Sequence, residues 1–400
     1  MSNGEQTRAA ELEILFSDGQ LRAQCKITGK GLYWQSQPVN MKVDLTGLDG
    51  KISQLKDVLT TEQTDLWANL EDPLAEPASG FVADQFADCV ERVVSVGFGL
   101  YSELADLGLR TILDKIDSTL REDDQLSIQT DCAFLPWEIL YPYYYDKGNM
   151  TPKQKKNNPL RPKSLWGYKY KTEYILYPLP DELNGWAAPI DEHEQGPDYI
   201  SFNLNKEIDA AFQARPFKPV EFHRQFFNSS IGEKGKCLED KDSIVDFLLD
   251  DKNGATIIYM FCHGDSGSPL TSKMNEVLDF GEQKFITPQT LEQQNTYLRG
   301  PIVILNSCLS ATVSPLSFSS FHKKFRKKRA MGVIGTTIKM PATFAAAFGR
   351  KLIECYMNRI SIGCAIYQLR RELLDRNNPL GLFYSLQCPG DILAPQGGNN

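Results

Sequence analysis

From residue 199 to residue 387 the chain alternates short segments that are apolar throughout with longer amphipathic ones. "YISFNLN", "ATIIYMFC", "PIVILNS" and "MGVIGTTI" show no polar face, so each reads as a strand covered on both sides. "KEIDAAFQAR", "KDSIVDFLLDD", "ATFAAAFGRKLIECYMN" and "SIGCAIYQLRRELLDRN" carry apolar residues at helical spacing. "TPQTLEQQ" reads as a short helix with Thr287 as cap and Pro288 at its first position. "VEFHRQFF", bulky and aromatic, reads as one more strand. The fold class expected is α/β, a mostly parallel sheet flanked by helices.

The preceding half is less regular. "ELEILFS", "DGQ" and "LRAQCKIT" form a plausible hairpin, and "KISQLKDVLTTEQTDLW" has helical spacing. "VADQFADCVERVVSVGFGLYSELAD" reads as a helix, followed after a break at Gly108 by "LGLRTILDKIDSTL". "QLSIQTD" and "TEYILYPLP" read as strands, separated by a lysine- and proline-rich stretch from 147 to 165 that is expected to be an exposed, mobile loop. The division expected is a small β-containing region (1–80), an α+β half (81–180) and an α/β domain (181–400).

The start of the chain lacks a basic segment followed by an apolar core, and no run approaches the roughly 18 apolar residues of a membrane span. A cytoplasmic protein is expected, without membrane contact. Nine cysteines, an odd number with no CxxC pair, suit neither a disulfide framework nor a zinc site. A formal charge of −8 argues against nucleic acid as a partner. Two basic clusters, "KQKKNNPLRPK" and "HKKFRKKR", run against that average.

Two strands end in chemistry-bearing residues. "IIYMFCHGD" runs into His263, Gly264 and Asp265, and "GPIVILNSCLSA" into Cys308. In parallel α/β sheets, sites gather beyond the carboxyl ends of the strands, and neighbouring strands lie about 5 Å apart. If these two are neighbours, imidazole and thiol meet on one rim. The imidazole then removes the thiol proton and later protonates a leaving amine. The backbone N–H groups of Gly264 and Cys308 are candidate donors to an oxyanion. No GxGxxG or GxxxxGK[ST] loop follows any apolar strand, so a nucleotide site is disfavoured, and no cofactor or metal is expected.

"IIYMFCHG" and "IVILNSCLSA" resemble the His-Gly and Asn-x-Cys-x-Ser-Ala signatures of the CHAT proteases, caspase-like cysteine peptidases of the clan of caspases, separase and gingipain. "FLPWEILYP" upstream, and "GVIGTTIKMP", "FAAAFGRKLIE", "SIGCAIYQLRREL" and "PLGLFYSLQCPGDILA" downstream, extend the resemblance over roughly residues 82–395. It implies a preceding pseudo-caspase-like half and a cysteine endopeptidase with His263 as general base, Cys308 as nucleophile and Gly264 at the oxyanion site. It also implies bacterial settings such as antiphage defence, in which a sensor or activator releases the protease to cut a protein substrate such as a gasdermin or a second protease. Trp137 and Glu138, in the upstream segment, are read as a structural corner.

Two positions depart from the pattern. Leu309 follows the nucleophile where the family often has an acid, and Asn306 stands where relatives that cut after Lys or Arg have Asp. A neutral amide cannot offset a buried substrate cation. A neutral P1 residue is therefore favoured, with Asn306, Ile338 and Met340 near the pocket, although Asp265 could supply an acid from the other side. The stretch 314–330 is either a cleavable, regulated loop or a solvated helix "SSFHKKFRKKRA". The alternative for the whole chain is a catalytically inactive caspase-fold scaffold or docking protein.

Overall fold

The computed structural model describes residues 8–17, 20–29, 32–42, 81–131, 135–176, 199–250, 252–265, 277–281, 285–292, 299–307 and 321–392, with 54, 58–59, 67, 69–70, 72–74 and 297 between them. The helix expected from "KISQLKDVLTTEQTDLW" lies largely outside these residues.

The first sheet has strands β1 (Ala10–Ser17), β2 (Gln20–Gly29), β3 (Leu32–Gln35), β4 (Val39–Lys42), β5 (Gln125–Thr130) and β6 (Lys171–Leu176), in the order β3-β2-β1-β5-β6 with β4 also on β2. β1 and β2 are the expected hairpin, antiparallel from Ala10↔Ile27 to Ser17↔Gln20. β1 also pairs in parallel with β5. The boundary expected at residue 80 therefore runs through a single sheet. Helix α1 (Phe81–Leu104) and helix α2 (Arg110–Thr119) join its two parts. Between them the helical path breaks at Gly108, whose φ of 108° is costly for a residue with a Cβ.

The stretch 147–165 is exposed as expected, but it is not a plain loop. Helix α3 (Pro152–Asn157) begins at Thr151 with a capping box closed by Gln154, and Lys155 reaches Glu91 on α1 at 2.6 Å. A short helix α4 (Trp166–Lys169) precedes β6.

The second sheet is the expected one. β7 (Ile200–Leu204), β8 (Gly235–Leu238), β9 (Ile257–Phe261), β13 (Ile302–Asn306), β14 (Gly332–Thr336) and β15 (Tyr384–Gln387) lie in the order β15-β14-β13-β9-β7-β8. All neighbours are parallel except β14 and β15. β7, β9, β13 and β14 are buried at every residue.

Period-two alternation sends their side chains into two cores. Ile257, Tyr259, Phe261, Ile302 and Ile304 face helices α5 (Pro219–Phe226), α8 (Ala342–Met357) and α9 (Ile362–Asp375). Ile258, Met260, Cys262, Val303 and Leu305 face helices α6 (Lys241–Leu249) and α7 (Phe321–Lys327). Each helix gains its stability from the apolar stripe it lays on the sheet.

One expected strand is a helix. "VEFHRQFF" forms most of α5, because Pro219 at its first position suits helical φ and because Val220, His223 and Phe226 recur at helical spacing and are buried. The Asp209 carboxylate caps it, accepting from the Val220 and Glu221 N–H groups at 2.8 and 2.9 Å.

α7 corresponds to the basic stretch 321–327, and 314–320 lie outside the described residues. It is a helix, though not a freely solvated one. Phe321 and Phe325 are buried, Lys324 pairs with Glu292 at 2.6 Å, and Arg326 donates to the Leu176 carbonyl at 2.5 Å.

β6 and β15 lie side by side, so the two sheets abut. Arg370 on α9 stitches the seam. It donates to Thr172 Oγ1 at 2.6 Å, to the Tyr384 carbonyl at 2.5 Å and to Glu138 Oε1 at 3.0 Å. Tyr174 donates to the other Glu138 oxygen at 2.7 Å. Glu138 and neighbouring Trp137 are thus buried in a structural corner. Among the described residues no helix is long and apolar enough to cross a membrane.

Candidate active site

In the second sheet the chain runs from β7 to β8 on one side, then returns to the other side of β7 to lay down β9, β13 and β14. The order reverses between β7 and β9, and in open α/β sheets sites gather beyond the carboxyl ends of the strands at such a reversal. Three segments arrive there. β7 ends at Leu204 and is followed by Asn205, β9 ends at Phe261, and β13 ends at Asn306.

β9 and β13 are parallel neighbours, and their last registered pair is Phe261 with Asn306. His263 lies two residues beyond the first and Cys308 two residues beyond the second. Cys308 itself lies outside the described residues, as does Leu309. The preceding carbonyl, that of Ser307, accepts from the Thr336 hydroxyl at 2.7 Å, and the same hydroxyl reaches the Ile338 carbonyl at 3.2 Å.

His263 is exposed and begins a short strand, β10 (His263–Asp265). β10 pairs antiparallel with β11 (Val277–Asp279), and β11 with β12 (Phe285–Ile286). This three-stranded sheet was not expected from the sequence. Its register sets His263 opposite Asp279, Gly264 opposite Leu278 and Asp265 opposite Val277.

Asn205 fastens that small sheet to the large one. It is 1% exposed. Its backbone N–H donates to the Phe261 carbonyl at 2.8 Å, and its side-chain amide to the Asp279 carbonyl at 3.0 Å. Its Oδ1 accepts from the Glu207 N–H at 2.9 Å. The sequence held a signal for it, since Asn205 ends an apolar strand just as the other two segments do.

Asn306 is 2% exposed. Its side-chain amide donates to the Tyr259 hydroxyl at 2.7 Å and to the Ala345 carbonyl at 2.6 Å, and its oxygen accepts from the Tyr384 hydroxyl at 2.7 Å. The side chain of Asn306, expected near the pocket, is committed to three internal partners on the α8 face of the sheet. Tyr259 extends the chain to His223 Nε2 at 3.0 Å. Burial, and secondarily the charge of Arg350, push the His223 imidazole down to about 3, so this ring is neutral. Ile338 and Met340, expected near the pocket, are 1% and 9% exposed and back the rim from within.

No protein-family model matches the chain, and no curated protein does. Among solved structures its shape is similar to separase. A chain in each of two crystal structures of the Saccharomyces cerevisiae separase–securin complex matches at TM-scores of 0.49 and 0.47 with 10% identity, covering 95% of this chain. This chain spans 30% of the length of those chains. A structure of a protease matches at a TM-score of 0.45 with 9% identity, over 73% of this chain and 69% of the other.

Five of the other thiols are poorly suited to nucleophilic work. Burial pushes Cys25 and Cys89 up to about 12 and Cys237 up to about 11, and raises Cys388 and Cys355 as well. Cys262 packs into the core on the α6 face. Among the described residues no group of three His, Cys, Asp or Glu side chains could hold a metal ion.

Proposed function

We propose that the chain is a caspase-type cysteine endopeptidase of the CHAT kind. The observation that supports this most is the register of β9 and β13: Phe261 and Asn306 are paired at the carboxyl ends of two parallel neighbours, the exposed His263 follows the first by two residues, and Cys308 follows the second by two residues in the sequence. In this reading His263 takes the Cys308 thiol proton, and the thiolate attacks the scissile carbonyl carbon. The N–H groups of Gly264 and Cys308 hold the resulting oxyanion. Collapse breaks the C–N bond, and His263 returns the proton to the departing amine. Water, deprotonated by the same imidazole, then hydrolyses the thioester.

Asn306 takes no part in choosing the P1 residue, because its amide is occupied internally. Asp265 and the rim around 336–341 remain the groups that set it. The substrate is a protein, such as a gasdermin or a second protease, and a separate sensor or activator in a bacterial defence pathway controls its cutting in the cytoplasm.

Incubating wild-type and Cys308→Ala protein with the products of neighbouring genes, and reading new termini by mass spectrometry, tests the proposal. New termini in one product, lost in Cys308→Ala and in His263→Ala, are expected. A wild-type protein that binds such a product yet creates no termini with any activating partner would point to the scaffold instead.

A further inference from the structure

A general base must be held within a fraction of an ångström of its target, and the residues beneath it do that holding. His263 lies on a strand of only three residues, paired to another of three. A ladder this short has too few bonds to fix its own position. Something else must anchor it to the large sheet.

Two contacts do so, each between the hairpin and the turn after β7. The first is Asn205, whose backbone donates to Phe261 on the strand leading to His263, while its side chain donates to the carbonyl of Asp279, the residue directly opposite His263. One buried residue thus joins β9 through its backbone to β11 through its side chain. The second is at Gly281, which closes the end of β11 by donating its N–H to Asp279 Oδ1 at 2.8 Å and lies against Glu207 of that turn. Its φ is 86°, and a Cβ there would lie 2.4 Å from Glu207 Cδ, so the end of β11 is pressed against the same turn.

We propose that Asn205 is a positioning residue for catalysis: its amide locks the β10–β11 hairpin to the rim and so fixes the His263 imidazole. This rests on the endopeptidase reading and adds to it a residue that touches no substrate. Asn205 also has a purely structural task, since its Oδ1 caps the turn at Glu207. The two roles separate chemically. Aspartate caps a helical turn as well as asparagine does, but it has no N–H to donate to the Asp279 carbonyl.

The test is the pH dependence of Cys308 alkylation by iodoacetamide in the full-length protein, read by mass spectrometry. It needs no substrate. An imidazole-paired thiolate stays reactive well below the pH of about 8.5 at which a free thiol ionises. Wild type should therefore alkylate at low pH, and His263→Ala only near that of a free thiol. Asn205→Asp should shift towards His263→Ala, losing about tenfold in rate at pH 6.5 while melting within a few degrees of wild type. Gly281→Ala, which loosens the same hairpin from the other contact, should shift the same way, and serves if Asn205→Asp fails to fold.

A wild-type profile in Asn205→Asp, or in Gly281→Ala where it is the variant used, with His263→Ala clearly shifted, overturns the positioning role alone. Identical profiles in wild type and His263→Ala overturn the endopeptidase reading, and the positioning role with it.

Discussion

The Asn306 side-chain amide donates to the Tyr259 hydroxyl at 2.7 Å, and this bond ties the strand that leads to Cys308 to the strand that leads to His263. The tie is continued by Tyr384 on one side and His223 on the other, so four buried polar side chains cross beneath the rim. Replacing Asn306 by leucine removes the amide and strands its partners. A loss of about 2–4 kcal/mol is expected in urea unfolding, because buried polar groups left without partners keep their desolvation penalty. Asn306→Asp should be no milder, and should not confer cleavage after Lys or Arg when digested peptides are sequenced.

Alkylation should be selective. With five thiols raised by burial, a brief exposure to iodoacetamide at pH 7 should label Cys308 ahead of Cys25, Cys89, Cys237, Cys355 and Cys388 in a peptide map. Equal labelling of these sites under native conditions would contradict the nucleophile assignment.

His223 provides an acid limb to stability. Its folded-state pKa, about 3, lies below its ordinary 6.5, so between those values the unfolded chain binds the extra proton. Stability contributed by the neutral ring is complete above pH 6.5 and falls as pH drops towards 3, by up to about 1.4 kcal/mol per pH unit. His322, also buried and held well below its ordinary value, adds in the same direction. His223→Gln should flatten the decline in melting temperature between pH 6 and 4, measured by calorimetry.

Arg370 and Glu138 are each 1% exposed. Arg370→Met keeps most of the volume but leaves a buried carboxylate without its cation, and should cost about 3–5 kcal/mol in denaturant unfolding. The double variant Arg370→Met with Glu138→Gln should recover part of that loss.

Thr336→Val deletes the hydroxyl that holds the Ser307 carbonyl at 2.7 Å. We expect turnover of a cleaved substrate to fall several-fold with KM little changed, at a stability cost of about 1 kcal/mol. A change in KM alone would place Thr336 with substrate binding instead.

What could be read from the sequence follows from burial. Strands covered on both faces must be apolar throughout, and β7, β9, β13 and β14 were legible for that reason. β8, with the sequence "GKCL", and β10 to β12, of two or three residues each, are too short for any period to mark them. α5 was misread because its aromatic residues favour strands, whereas the carboxylate that caps it belongs to Asp209 on an earlier turn.

The site divides in the same way. His263 is conspicuous as a polar residue directly beyond an apolar run. Asn205 stands in an equivalent place, but its meaning depends on a carbonyl 74 residues further along the chain, which only the folded topology supplies. Asn306 was visible as a polar residue at a strand end, while the direction of its side chain was not, since that depends on the hydroxyls of Tyr259 and Tyr384 waiting in the core.

The abutment of β6 and β15 has a bearing on how the molecule can be dissected. A fragment beginning near residue 199 would carry every candidate reactive group, yet it would lose the neighbour that shields β15 and would bare a fresh sheet border to solvent. Such borders recruit other chains. The half that bears the chemistry is therefore expected to clump when expressed alone and to remain monodisperse when residues 8–176 accompany it.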